Sequence, residues 1–283
     1  MGRSVAAEIQ DIVDRRAENG GAFWSRADGS IHAPAGFSTI DVLNVLGDLG
    51  ATVRSHPVLG EAAEFVLGYQ TAEGAFRYTR SSSRLPCMTG QALAGLGRLG
   101  LAHDPRYAAG LSWLMESQAD DGGWRCGTVK LGRSPVTDAS NPGATLFVLD
   151  AFRFRHVGQG PDVTARLDRA VESLLHHWET RTPLGPCLFG IGSRFLKVEY
   201  PFLRYNLFYY VYVLAHFPRA RGDDRFAEAF HELAAHTREG RLVVDAPHHS
   251  WQGYSFARKG QPSDHATTRW EEIRANVTAA DLL

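Results

Sequence analysis

Along most of this chain the apolar residues recur at the three- and four-residue spacing of a helix with one buried face. That spacing predicts helices over Val5–Glu18, Ser38–Leu49, Thr89–Leu99, Ala144–Phe154, Leu203–Phe217 and Ala266–Asn276. Further helical stretches carry Ala63, Val66 and Leu67, then Leu111, Trp113 and Leu114. Turn signals at His103–Pro105 and Arg221–Asp224 separate neighbouring segments. No alternating run is long enough to build a sheet, so the expected class is all-α. The order is one outer helix, a series of inner–outer pairs, and a last unpaired inner helix. A half-pair at each end fits a ring that closes by docking the terminal helix on the first.

The chain also repeats itself. Gln70, Gly74 and Phe76 share their spacing with Gln118, Gly122 and Trp124, 48 residues later. A weaker copy is His236, Gly240 and Leu242, and another lies near Gly21 and Phe23 without the Gln. A structural role accounts for these residues. The amide can satisfy orphan backbone groups at a helix end, Gly permits a tight turn, and the ring packs on the next repeat. The same account covers Asp120 and Asp121 without giving them a catalytic role as paired carboxylates.

These Gln-x3-Gly-x-Trp/Phe loops resemble the QW-type repeat of terpenoid cyclases and protein prenyltransferase β subunits. The stretches Leu188–Phe202, Trp251–Tyr254 and Gly260–Ser263 are similar to a bacterial branch of that family without a settled activity. The resemblance implies one α/α toroid over residues 1–283, with about five inner–outer helix pairs around a central cavity. It covers essentially the whole chain, although the third repeat, around Trp178 and Pro186, departs from the pattern. The D-x-D-D motif of class II terpene cyclases is absent, as is the D-x-C pair of the prenyltransferase zinc site, since Leu85 stands two before Cys87.

Composition narrows the function. The chain has 283 residues with 30 basic and 31 acidic side chains, a balance that disfavours a nucleic-acid partner. Of the basic residues only Lys130, Lys197 and Lys259 are lysines. The longest apolar candidate, Tyr209–Phe217, is half a membrane span, and the opening residues lack a signal peptide's apolar core. Three cysteines with no CxxC pair fit reduced thiols, so a cytoplasmic location is expected. His231 and His236 lie about 140° apart around a helix and cannot share an ion. Gly190 and Gly192 lack the third glycine of a dinucleotide loop.

In a toroid the first turns of inner helices line the cavity mouth. Those positions hold Ser38 and Thr39, Cys87 and Thr89, Asp138 and Asn141, Glu199, Tyr200, Arg204 and Tyr205, then Asp264 and His265. Capping explains Asp138, Asn141 and Asp264 equally well. The functional reading is a small-molecule enzyme resembling terpenoid cyclases, acting on an apolar or isoprenoid-like substrate by acid–base or carbocation chemistry. Asp138 would be the acid, with Glu199, Tyr200 and His265 relaying protons. Tyr205, Tyr209 and Tyr212 recur at i, i+4 and i+7 and would shape the cation, beside Cys87, Asn141 and Arg204 as substrate contacts. Trp251, Tyr254 and Phe256, with His248 and His249, would form a lid over the cavity, with Trp251 a further substrate contact. No cofactor is expected; zinc on Cys87 and His265 is the alternative. Only Arg204 and Lys197 fall near the mouth, so a neutral substrate is favoured over a diphosphate. Natural-product biosynthesis is the expected setting. A hydrolase or lyase using carboxylate and His pairs, and a non-catalytic lipid-binding or scaffold protein, are the other readings. Oligomeric state is left open.

Overall fold

A computed structural model describes residues 4–128, 130–154 and 160–277, and it is largely helical. Its contacts divide into two compact units. One is built on the chain up to Gln118, with Cys126–Thr128 and the segment from Asp150. The other takes Ala119–Arg125, the stretch up to Leu149, and the chain from Gly160. Among the described residues no helix is long and apolar enough to cross a membrane.

The first unit contains α1 (Val5–Asp14), α2 (Thr39–Asp48), α3 (Pro57–Leu67), α4 (Pro86–Arg98) and α5 (Pro105–Glu116). A capping box starts α2: the Ser38 hydroxyl accepts from the Asp41 N–H, and the Asp41 carboxylate accepts from the Ser38 N–H. Helices α3, α4 and α5 each begin on a proline, whose missing N–H is no loss in the first turn and whose φ already suits a helix. This is why α4 starts at Pro86 and not at Thr89, where the apolar periodicity begins. Helix α4 packs against α2 and α5. The close approach of α2 to α4 needs small residues, since a Cβ on Gly47 would sit 2.6 Å from that of Arg98.

The second unit contains α6 (Pro135–Asp138), most of α7 (Pro142–Phe152), α8 (Pro161–Thr180), α9 (Leu207–Leu214), α10 (Pro218–Arg221), α11 (Asp224–Ala234) and α12 (Asp264–Asn276). Every residue of α9 is buried, as an all-round apolar helix requires, and α11 and α12 pack on it. The expectation of no sheet is corrected on a small scale. Strands β1 (Thr237–Arg238), β2 (Arg241–Val244) and β3 (Gln261–Pro262) pair antiparallel in that order. Glu239 and Gly240 both take positive φ, the geometry of a two-residue hairpin turn. At two to four residues, these strands are too short for alternation to announce them.

The repeat loops are structural, and all three use one device. The N–H that closes each loop donates to a threonine hydroxyl on the following helix: Phe76 to Thr89 (2.9 Å), Trp124 to Thr145 (3.1 Å) and Leu242 to Thr267 (3.0 Å). Phe76, Trp124 and Leu242 are fully buried. In the first loop the Gln70 amide donates to the carbonyls of Gly74 and Arg106, at 2.9 and 2.8 Å, tying a helix end to the next helix. Thr89, read from sequence as lining a cavity mouth, is thus the anchor of a repeat. The divergent third repeat keeps only a bridge between Leu184 and Phe189.

Candidate functional site

The second unit holds a cleft of about 480 Å³ whose walls come from two stretches of chain more than forty residues apart. Backbone bonds bring them together. The Val198 carbonyl accepts from the N–H groups of Asp245 (2.8 Å) and Ala246 (3.1 Å), and the Val198 N–H donates to the Asp245 carboxylate at 3.0 Å. Beyond β2, the Gly260 N–H donates to the Val244 carbonyl, which sets Lys259 on the same rim. Arg194, Lys197, Arg204 and Lys259 line the cleft with Asp245 and Gln252.

Glu199 stands behind this rim, 6% exposed. Its carboxylate accepts from Arg204 Nε at 2.8 and 3.0 Å, and Arg204 Nη2 lies 2.7 Å away. Two opposed effects act on the carboxyl. Burial penalises its charged form and raises its pKa, and the Arg204 guanidinium pulls it down; burial prevails, so the pKa is raised. Asp245 is held differently, with His236 Nδ1 at 2.7 Å. By contrast, among the described residues Lys197 and Lys259 make no side-chain hydrogen bond or ion pair, while Arg194 acts on Glu199 through its charge and, like Arg204, lowers the carboxyl's pKa.

The tyrosine stripe divides. Asn206 caps α9 by accepting from the Tyr209 N–H (3.1 Å), so the helix starts at Leu207 and Tyr205 lies outside it. The i, i+4, i+7 face predicted for Tyr205, Tyr209 and Tyr212 therefore does not form. Tyr209 and Tyr212 stack against Phe202, with ring centroids 5.0 and 4.7 Å away, and the Tyr212 hydroxyl donates to Glu272 at 3.1 Å. Glu272 also meets His216 Nε2 (3.1 Å) and Arg269 Nη1 (2.6 Å).

Tyr205 belongs to another cluster, with His177. The His177 Nε2 faces the carbonyls of Thr182 and Phe189, each at 3.1 Å. Carbonyls only accept, so the proton sits on Nε2, and Nδ1 accepts from the Tyr205 hydroxyl at 2.8 Å. The ring is fully buried, and burial lowers its pKa. Stability follows from the sign. A depressed native pKa means the native state resists protonation, so this contribution is complete above the ordinary value of 6.5 and is lost as pH falls below it. Urea midpoints should therefore drop from pH 7.5 to 5.5 more steeply in the wild type than in His177→Gln. Equal slopes in the two proteins would refute the assignment.

The other candidates are dispersed. Tyr200 is fully buried and meets Phe202 and Phe256 edge-on; Phe256 in turn contacts Trp251 and the edge of His265. Asn141 caps α7, its Oδ1 accepting from the Ala144 N–H at 3.0 Å. Asp264 is not a cap, because Ser263 fills that place, and Asp138 ends α6. Asp138 Oδ2 accepts from the Gly132 N–H at 2.8 Å, while Oδ1 is buried with no hydrogen-bond partner among the described residues. Cys87 lies on α4, in the first unit. Among the described residues no group of three or more His, Cys, Asp or Glu side chains is arranged to hold a metal ion. A second cleft, of about 510 Å³, is lined by Asp120, Asp121, Glu172 and His176. There Asp121 is engaged in accepting from the Ser140 N–H and hydroxyl.

No protein-family model matches this chain, and no curated protein does. Among solved structures, the crystal structure of a protein from Actinoplanes matches with a TM-score of 0.53 at 18% identity, over 99% of this chain and 78% of that one. The likeness is one of fold. The type II terpene cyclase MstE from Scytonema matches at 14% identity and TM-score 0.36, over 99% of this chain and 98% of the cyclase. A variant of that cyclase, in complex with its substrate geranylgeranyl dihydroxybenzoate, matches at 15% identity and TM-score 0.36, over 99% and 97%. Both scores lie below the level at which a common fold is read.

Proposed function

We propose that this chain is a small-molecule enzyme performing acid–base chemistry on an apolar, isoprenoid-like substrate, with Glu199 as its proton donor and the helices arranged as an α/α toroid. The repeat loops, with their resemblance to those of terpenoid cyclases, motivate the substrate class. The observation that carries the site is Glu199: a buried carboxyl with a raised pKa, paired to an arginine that opens onto a cleft. In the proposed step, the Glu199 carboxyl gives its proton to an alkene carbon, leaving a carbocation on the substrate and a carboxylate on the enzyme. Arg204 then stabilises that carboxylate. The cation ends by losing a proton, which restores the acid.

The test is turnover of a panel of polyenes and prenylated aromatics, read by mass spectrometry. Glu199→Gln should lower the rate by at least ~100-fold, the scale of general acid catalysis, and leave folding intact. Wild-type turnover should also decline as pH rises through the Glu199 pKa, since only the protonated carboxyl donates. Loss of rate in Asp138→Asn with Glu199→Gln unaffected would move the acid to Asp138. Absence of turnover across the panel would favour the non-catalytic reading.

A further inference from the structure

We propose that Asn206 is the positioning residue for Arg204, and that it acts by joining the Arg204 carbonyl to the first turn of α9. The inference rests on Glu199 and Arg204 being the functional pair, and it names what keeps the guanidinium in place.

The segment from Glu199 to Asn206 has no helix or strand of its own to fix it. A guanidinium at the end of a flexible side chain is no better placed than the backbone that carries it. That matters here because the Arg204 side chain is 41% exposed, so water competes for its donors. Glu199 is placed from one side by the bonds between Val198 and Asp245. Arg204 is placed from the other side, by the two residues that follow it. Asn206 is 2% exposed, and both ends of its amide are used. Its Oδ1 accepts from the Tyr209 N–H at 3.1 Å, and its Nδ2 donates to the Arg204 carbonyl at 2.8 Å. Among the described residues this is the one hydrogen bond made to the Arg204 backbone. Tyr205, between them, is pinned as well. Its hydroxyl donates to His177 Nδ1, and its ring lies 4.8 Å from that of Phe195. The Phe195 carbonyl in turn accepts from the Leu207 N–H at 2.8 Å. The residue type at 206 follows from these two tasks. An aspartate would cap α9 but has no donor, and a serine would have to meet both partners with a single atom. The amide has one atom for each.

Two measurements on Asn206→Ser and Arg204→Gln, singly and together, test this. One is the ionisation midpoint of the Glu199 carboxyl, from its ¹³C shift; the other is the exchange of the Arg204 Nε–H with solvent, from ¹⁵N-arginine spectra. Asn206→Ser keeps a capping oxygen, so its urea midpoint should stay close to that of the wild type. Its Glu199 midpoint should rise by at least half of the shift that Arg204→Gln produces, and its Arg204 Nε–H should exchange ~10-fold faster or more. Added to Arg204→Gln, Asn206→Ser should move the Glu199 midpoint no further, because the amide acts only through the guanidinium. If the serine variant does not fold, Asn206→Asp supplies a cap without the donor, and faster Nε–H exchange is expected there too. Unchanged exchange, a Glu199 midpoint unmoved in Asn206→Ser, or an equal rise in the absence of Arg204 would each overturn the proposal. The two readings fail separately. A Glu199 midpoint at or below 4.5 removes the acid, while faster exchange in Asn206→Ser still keeps the positioning role. A raised midpoint indifferent to Asn206 keeps the acid and removes that role.

Discussion

Replacing Asp150 by alanine should lower the free energy of unfolding by about 3–5 kcal/mol, the usual penalty for breaking a buried ion pair from one side. The residue is fully buried at the end of α7, and its two carboxylate oxygens serve two arginines. Arg98 Nη2 lies 2.6 Å from Oδ2, and Arg153 Nε lies 2.6 Å from Oδ1. Arg98 is further held by Asn44 Oδ1 at 2.9 Å, with Asp48 at 4.0 Å. Removing Asp150 takes from two largely buried guanidiniums the carboxylate that they share. Asn in its place keeps the shape but not the charge and should lose most of the same stability. Urea unfolding followed by tryptophan fluorescence reads the difference. A change of less than ~1 kcal/mol, the scale of a surface pair, would show that the network is solvated.

A second large effect is expected at Gly74. Gly74 and Gly100 both take positive φ, +101° and +91°, but their surroundings differ. A Cβ on Gly74 would stand 2.3 Å from the Ala109 carbonyl oxygen, a backbone atom of α5, whereas one on Gly100 would meet nothing within 4 Å. Gly100→Ala should therefore cost only the left-handed strain, about 1–2 kcal/mol. Gly74→Ala adds a collision with a helix backbone and should cost about 3 kcal/mol or more. Paired thermal melts of the two variants test this directly. Equal losses would mean that the repeat loop does not seat tightly on α5.

The parts of the fold legible in sequence were those set by local chemistry. Apolar spacing located the long helices, and the Gln–Gly–aromatic loops turn as their residue types require, even in the weak copy at His236, Gly240 and Leu242. Boundaries were missed where a single residue overrides periodicity. Apolar spacing places the starts of α4 and α7 at Thr89 and Ala144, whereas Pro86 and Pro142 begin them. Asn206 was passed over inside the apolar stretch, and its cap moved Tyr205 out of the tyrosine face and onto His177.

The site was legible only in fragments. Glu199 and Arg204 are five residues apart and were both singled out, yet the buried pairing between them depends on the turn that joins them. Arg194 and Lys259 could not be associated from spacing, because a sheet of three short strands and the Val198–Asp245 bonds bring them to one rim. The one available signal was the scarcity of lysine. His177, in the middle of α8, carries nothing in its spacing to predict two carbonyls and a tyrosine hydroxyl around its ring.

The central claim is that Glu199 is a buried acid tuned by Arg204, and it can be measured without knowing the substrate. Carboxyl ¹³C chemical shifts of glutamate-labelled protein, titrated with acid and assigned with Glu199→Gln, give its ionisation midpoint. The account predicts a midpoint above the ordinary 4.5, rising further in Arg204→Gln, where the guanidinium no longer favours the charged form. A midpoint at or below 4.5, or one indifferent to Arg204, would contradict it.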